Sequence, residues 1–229
     1  MGYRLITANR NYSSWSLRPW LLMRALGIAF EDRVECFAQP ANWEAFRAFS
    51  PTGQVPVLVD GERTVWDSLG IALYLAERHD GVWPADEKPR AFAQCVVCEM
   101  HGGFAALRSE CTMNVGVRVE PGPASPALAR DVRRLREIFE EGLACFGGPW
   151  LAGASFSAAD AFFAPVAFRI RTYGLAVGAG QSWIETVLGH PAMREWETQA
   201  LAESWREAGH EAELAASGRI IADYRRPPP

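Results

Sequence analysis

Apolar and polar residues change rhythm once along this chain, near residue 80. Before that point the apolar residues come in short runs. Residues 3–8 alternate in part and predict a first strand. A polar stretch, 9–16, follows. Residues 17–27 then carry apolar side chains at helical spacing. Ser16 is placed to cap that helix, Pro19 sits in its first turn, and Gly27 suits its end. Residues 30–37 predict a second strand. Residues 41–49 predict a short helix with Trp43, Phe46 and Phe49 on one face. Residues 50–59 read as a turn leading into a strand, Asp60-Gly61 as a hairpin signal, and 64–66 as the return strand. Asp67-Ser68 then opens an apolar helix over 69–78. The predicted order is βαβαββα, a small mixed sheet with helices, spanning residues 1–80.

Residues 81–89 are rich in turn formers and read as a linker. Beyond them the pattern predicts only helices, over 91–111, 126–146, 158–173 and 192–208. The expected architecture is therefore an α/β domain followed by an all-helical domain, 90–229. The tail from Arg225 to Pro229 is expected to fray.

Bulk composition narrows the class. The chain has 229 residues, 49% hydrophobic and 22% charged, which is ordinary for a globular protein. A net charge of −4 gives no general attraction for nucleic acid or anionic lipid. No run approaches a membrane span, and the first residues carry no export signal, so a cytoplasmic location is expected. The five cysteines are scattered and read as reduced thiols. Cys95 and Cys98 read as core thiols; no histidine lies at metal spacing, so no metal site is expected.

Four motifs then converge. Tyr12-Ser13-Ser14-Trp15-Ser16-Leu17-Arg18 resembles the serine-rich start of the first helix in zeta-class glutathione transferases. Gln54-Val55-Pro56 resembles that family's cis-proline motif, and Asp67-Ser68 its acidic-serine pair. Phe156-Ser157-Ala158-Ala159-Asp160 resembles its buried capping box. The resemblance implies a thioredoxin-like N-terminal domain and a helical-bundle C-terminal domain. It also implies glutathione as substrate or cofactor, and a homodimer. Its zeta pattern departs at Trp15, where that class usually has a cysteine.

The chemistry behind the first motif is thiol activation. The thiolate is the nucleophile, and a free thiol has a pKa of about 8.5. A serine hydroxyl donating to the sulfur favours the charged form, as does the positive end of a helix. A serine just before a helix supplies both. Aligned on Arg18, Ser13 takes the place of the activating serine and Ser14 the next. The plainer reading is that these serines only cap the helix. Tyr12 carries a rival hydroxyl, though its position suits a wall residue. With serine and no cysteine here, disulfide exchange is disfavoured.

The remaining site residues follow from the resemblance. Gln54, Val55 and Pro56 would hold the cysteinyl backbone of glutathione. Asp67 and Ser68 would hold its γ-glutamyl end, and Gln39 its glycyl end. Met100-His-Gly-Gly103 resembles a Gly-Gly register that places Arg108 and Ser109 near the second substrate. Arg169 and Arg171 would receive a substrate carboxylate or be plain surface charges. With Tyr12 and Trp15 they complete the candidates for holding a small electrophile. Three functions stay open: conjugation, cis–trans isomerisation of the maleylacetoacetate type, or glutathione binding without catalysis.

Overall fold

The computed structural model of the protein describes residues 2–37 and 43–227. Its first half has the expected order. Strands β1 (Tyr3–Thr7), β2 (Phe30–Val34), β3 (Val57–Asp60) and β4 (Arg63–Val65) form one sheet in the order β2-β1-β3-β4. β1 and β2 run parallel, with Leu5 opposite Asp32. β3 is antiparallel to both β1 and β4. The parallel pair needs a crossover, and α1 (Ser14–Ala25) supplies it. α2 (Trp43–Arg47) and α3 (Ser68–Ala76) complete this half. α1 begins at Ser14 rather than Leu17, so Ser16 is not its cap. The Ser16 hydroxyl lies inside the first turn and accepts from the Ala8 amide at 3.2 Å. β2 stops at Val34, short of the predicted Phe37.

The second half is a helical bundle. α4 (Glu87–Gly102) and α5 (Ala105–Glu110) replace the single helix expected over 91–111. The break falls at Gly103 and Phe104, whose φ is 59°. A Cβ on Gly103 would sit 2.7 Å from the Glu99 carbonyl, so only glycine passes there. α6 (Pro126–Phe146) and α7 (Ala158–Tyr173) have the bounds their periodicity predicts. Ser125 caps α6 by accepting from the Leu128 amide at 3.0 Å, and Gly147 ends it at φ 77°. α8 (Gly180–Gly189), α9 (Pro191–Ala202) and α10 (Ala208–Ala216) follow; α8 and α10 have no counterpart in the sequence reading.

Two strands also break the helical pattern. β5 (Val117–Pro121) pairs antiparallel with β6 (Gly218–Asp223). They lie far apart in sequence, so neither carries a local hairpin signal. Of the tail expected to fray, the described part at Arg225 is held in place. Arg225 is buried, ion-paired to Glu211 and Asp223, and the Tyr224 amide bonds the Gly116 carbonyl at 2.8 Å.

α7 is the axis of the core. Nearly all its side chains are buried, and α1 and α4 pack along it. Asp160 at its start is fully buried. It accepts from the Leu151 amide at 2.9 Å, the Ser157 amide at 3.0 Å and the Trp183 indole at 2.8 Å. Burial pushes its carboxyl up to about 6, against the pull of those donors. Between the halves, the Arg10 guanidinium lies 4.4 Å from the centre of the Trp196 ring and is ion-paired to Asp32. Cys95 and Cys98, expected in the core, are exposed on α4; Cys111 is the buried thiol among the described residues. Among those residues, no helix is long and apolar enough to cross a membrane.

Candidate functional site

The two halves face each other across a cleft of about 660 Å³. The sheet half lines it with three short segments, Tyr12–Trp15, Thr52–Pro56, and Trp66 with Asp67, and with the rings of Phe37 and Phe46. The helical half contributes Arg108, Thr112, Met113, Arg169, His210 and Glu213.

Ser13 and Ser14 stand where α1 begins. Ser13 is at the N-cap position, yet its side chain makes no cap bond. Its hydroxyl instead donates to the Ser16 hydroxyl at 2.7 Å. Ser14 Oγ accepts from the Arg169 guanidinium at 3.4 Å. Tyr12 lines the cleft, but its hydroxyl is already committed, donating to Glu211 at 2.6 Å. Burial and that carboxylate push its pKa well above the usual tyrosine range.

The turn before β3 is held by Ser50. Its hydroxyl donates to the Gln54 carbonyl at 2.7 Å and accepts from the Gln54 amide at 3.2 Å. The Val55–Pro56 peptide is cis, as the motif predicts. The backbone at Val55 therefore faces the cleft with its edge unpaired by the sheet.

At α3 the predicted pair divides. Asp67 lines the cleft and is the N-cap, its Oδ1 accepting from the Leu69 amide at 2.8 Å. Its Oδ2 lies 3.2 Å from His101 Nε2 on α4. Ser68 is turned inward instead. As the first residue of the helix it is fully buried, with its hydroxyl 3.5 Å from the Arg18 guanidinium.

The arginines also divide. Arg108 and Arg169 line the cleft. Arg108 spans the α4–α5 break, donating to the Gly103 carbonyl at 2.9 Å and to the Met100 carbonyl, which the helix end leaves free. Arg169 donates to the carbonyls of Cys111 and Arg108. Arg18 lies beneath, 4.0 Å from the centre of the Trp15 ring, with Arg108 4.9 Å from the same ring. Burial, and then mutual repulsion, lowers the pKa of Arg18 well below normal and that of Arg169 to about 10. Trp15 is thus a ring set against two cations.

Two candidates lie elsewhere. Ser109 is off the cleft, bonding back to the Ala105 carbonyl at 3.0 Å. Arg171 points from the opposite side of α7 to Glu197 at 2.7 Å. Two residues make about half a helical turn, so Arg169 and Arg171 lie on different faces of α7, and only the packing decides which of them meets the cleft. Gln39 falls outside the described residues. Sequence reading missed Thr112, Met113, His210 and Glu213; they have no motif and reach the cleft only through the tertiary fold.

Comparison with known proteins agrees with this geometry. Residues 12–78 match the model of the glutathione S-transferase N-terminal domain, and residues 124–198 that of the C-terminal domain. The chain is 28% identical over 157 residues to a zeta-class glutathione S-transferase of Euphorbia esula, covering 67% of this chain and 70% of that protein. It is 29% identical over 183 residues to a maleylacetoacetate isomerase of Rhizobium meliloti, covering 73% and 82%. A dichloromethane dehalogenase of Methylorubrum extorquens matches at 44% over 61 residues; this spans 26% of this chain and only 21% of that protein. Among solved structures, a glutathione transferase homolog from Burkholderia with bound glutathione superposes with a TM-score of 0.65 at 20% identity. That match covers 87% of this chain and 98% of the other. With both domains matched in order and the thioredoxin-like sheet followed by a helical bundle, the chain belongs to the glutathione S-transferase family.

Proposed function

We propose that the protein is a serine-type glutathione transferase that attacks a small electrophile. The observation that carries this is Ser13. It stands at the start of a helix, at the edge of the cleft, with a hydroxyl that does not cap its own helix. Bound glutathione supplies the nucleophilic sulfur. Ser13 turns its proton from the neutral Ser16 hydroxyl to the charged thiolate, a stronger acceptor. The start of α1 and the Arg169 guanidinium beside Ser14 add positive charge at the same place. The Val55 edge pairs with the peptide backbone, and Asp67 addresses the γ-glutamyl amine. The electrophile lies against Trp15, Met113 and Arg108.

A second reading, isomerisation of an unsaturated acid with glutathione returned unchanged, is favoured by two observations. Arg108 and Arg169 place cations on the electrophile side, and among the described residues no carboxylate is hydrogen-bonded to either. The zeta-class and isomerase relatives also match over most of their length. The dehalogenase match is too short to speak for an electrophile. Turnover with glutathione on a panel of electrophiles, read by mass spectrometry, separates the readings. A glutathione adduct supports transfer; rearranged acid with glutathione intact supports isomerisation. Retention on immobilised glutathione with no turnover of any substrate sinks both and leaves a binding protein.

We also propose a homodimer, as in the family. Leu73 on α3 is exposed and apolar, as is Trp66 just before that helix. Light scattering at the mass of one chain would refute it.

A further inference from the structure

Cys95 and Cys98 do not serve the core that their spacing suggests. Both are exposed on α4, on the side turned away from Val96, Val97 and Met100, which are buried. Neither lines the cleft, so the glutathione chemistry leaves them without a task. Among the described residues, Cys36 and Cys145 are the other exposed thiols, and each lies on a different segment.

α4 holds the pair at a fixed distance. It is helical from Glu87 to Gly102, about two turns before Cys95 and one after Cys98. Residues three apart on a helix are neighbours on its surface, with Cβ atoms about 5–6 Å apart. A disulfide needs about 3.5–4.5 Å between them, so the helix would have to distort to form one. An ion placed between the two sulfurs needs no such distortion. Two thiolate–metal bonds of about 2.3 Å span about 4.6 Å, and rotation about χ1 makes up the rest.

The surroundings select the ion. The other ligand-bearing side chains near the pair on α4 are already engaged. Glu99 accepts from Arg134 at 2.7 and 3.0 Å, and His101 lies 3.2 Å from Asp67. Among the described residues, no group of three histidine, cysteine, aspartate or glutamate side chains could hold a metal ion. Structural zinc takes about four ligands, and so does an iron–sulfur cluster, so a pair suits neither. Two soft sulfurs with no third partner suit copper(I), an ion that thiolates select.

We infer that Cys95 and Cys98 form a surface site for copper(I), each sulfur making one bond to a single ion. Each thiol gives up its proton to solvent as the ion binds, and no oxidation state changes. The site stands apart from the cleft and does not depend on the glutathione reading.

The test uses the full chain and copper(I) alone, without glutathione or air, in competition with the chromogenic chelator bathocuproine disulfonate. Wild type is expected to withdraw one ion per chain from the chelator. Cys95→Ser and Cys98→Ser should each weaken binding at least about 100-fold, because the second bond is intramolecular only when both sulfurs are present. Both positions are exposed, so circular dichroism should show each variant folded like wild type. Cys36→Ser combined with Cys145→Ser should bind as wild type does. The proposal is overturned if wild type takes no copper(I), or if either single variant at 95 or 98 keeps the full affinity. An equal loss in the Cys36→Ser, Cys145→Ser variant overturns it as well, since the ion then sits elsewhere.

Discussion

Two helices of this protein start from a serine in the same position and use it in opposite ways. At α7, Ser157 accepts from the Ala159 amide at 3.3 Å while Asp160 accepts from the Ser157 amide at 3.0 Å. That box is buried and complete. At α1, Ser13 occupies the N-cap position with no cap bond, and its hydroxyl rests on Ser16 at the edge of the cleft. The residue three places on decides the difference. Asp160 closes the first cap; Ser16 cannot close the second. The finished cap is locked into the fold, whereas the hydroxyl at α1 rests on a neighbouring hydroxyl and stays at the edge of the cleft.

The sharpest way to break this contrast is to remove each group in turn. Ser13→Ala is expected to lower turnover on the order of 10²-fold, as loss of one donor to a developing or resident anion does. Its denaturant midpoint should hardly move, because no cap is lost. If Ser14→Ala takes the larger loss, the thiolate donor is one residue further on. Asp160→Ala should do the reverse, costing about 3 kcal/mol in urea unfolding, since it leaves two buried amides and an indole without an acceptor. The folded fraction should still turn over.

A smaller effect tests the neighbouring hydroxyl. Tyr12→Phe is expected to change turnover by less than about threefold, since Glu211 already holds that proton and raises the energy of giving it up. A loss as large as that of Ser13→Ala would move the thiolate donor to the tyrosine. The smallest effect concerns a third helix start, α3, where His101 touches the Asp67 cap. Burial lowers the pKa of His101 below its unfolded value of 6.5. Its contribution is therefore fully present above that value and lost as pH falls through the folded one. Wild type should show a slightly larger drop in melting temperature between pH 7.5 and 5 than His101→Gln does. An equal drop in both removes His101 from the account.

What the sequence reveals is what it writes locally. The bounds of α6 and α7, the cis turn at Val55–Pro56 and the box at Ser157 all depend on residues a few positions apart. The cleft's sheet side is legible for the same reason, since Ser13, Gln54 and Asp67 each sit in a short motif. The helical side is not. β5 and β6 pair across about a hundred residues, and His210 meets Tyr12 across nearly two hundred. Arg169 and Arg171 look alike in sequence, and only the packing of α7 assigns one to the cleft and the other to Glu197. Ser68 is turned inward because the helix begins at Ser68 itself, one residue earlier than its periodicity predicts, which leaves Asp67 as the cap.

The pairing of β5 with β6 also sets a schedule. Ser13 is made early and His210 late, and β6, which anchors α10, comes later still. At roughly 5–20 residues per second of synthesis, His210 follows Ser13 by about 10–40 s. Through that interval the cleft lacks the part of its helical wall that His210 and Glu213 supply. That part is set in place when β6 joins β5, so the last strand of the chain closes a cleft that the first helix opens.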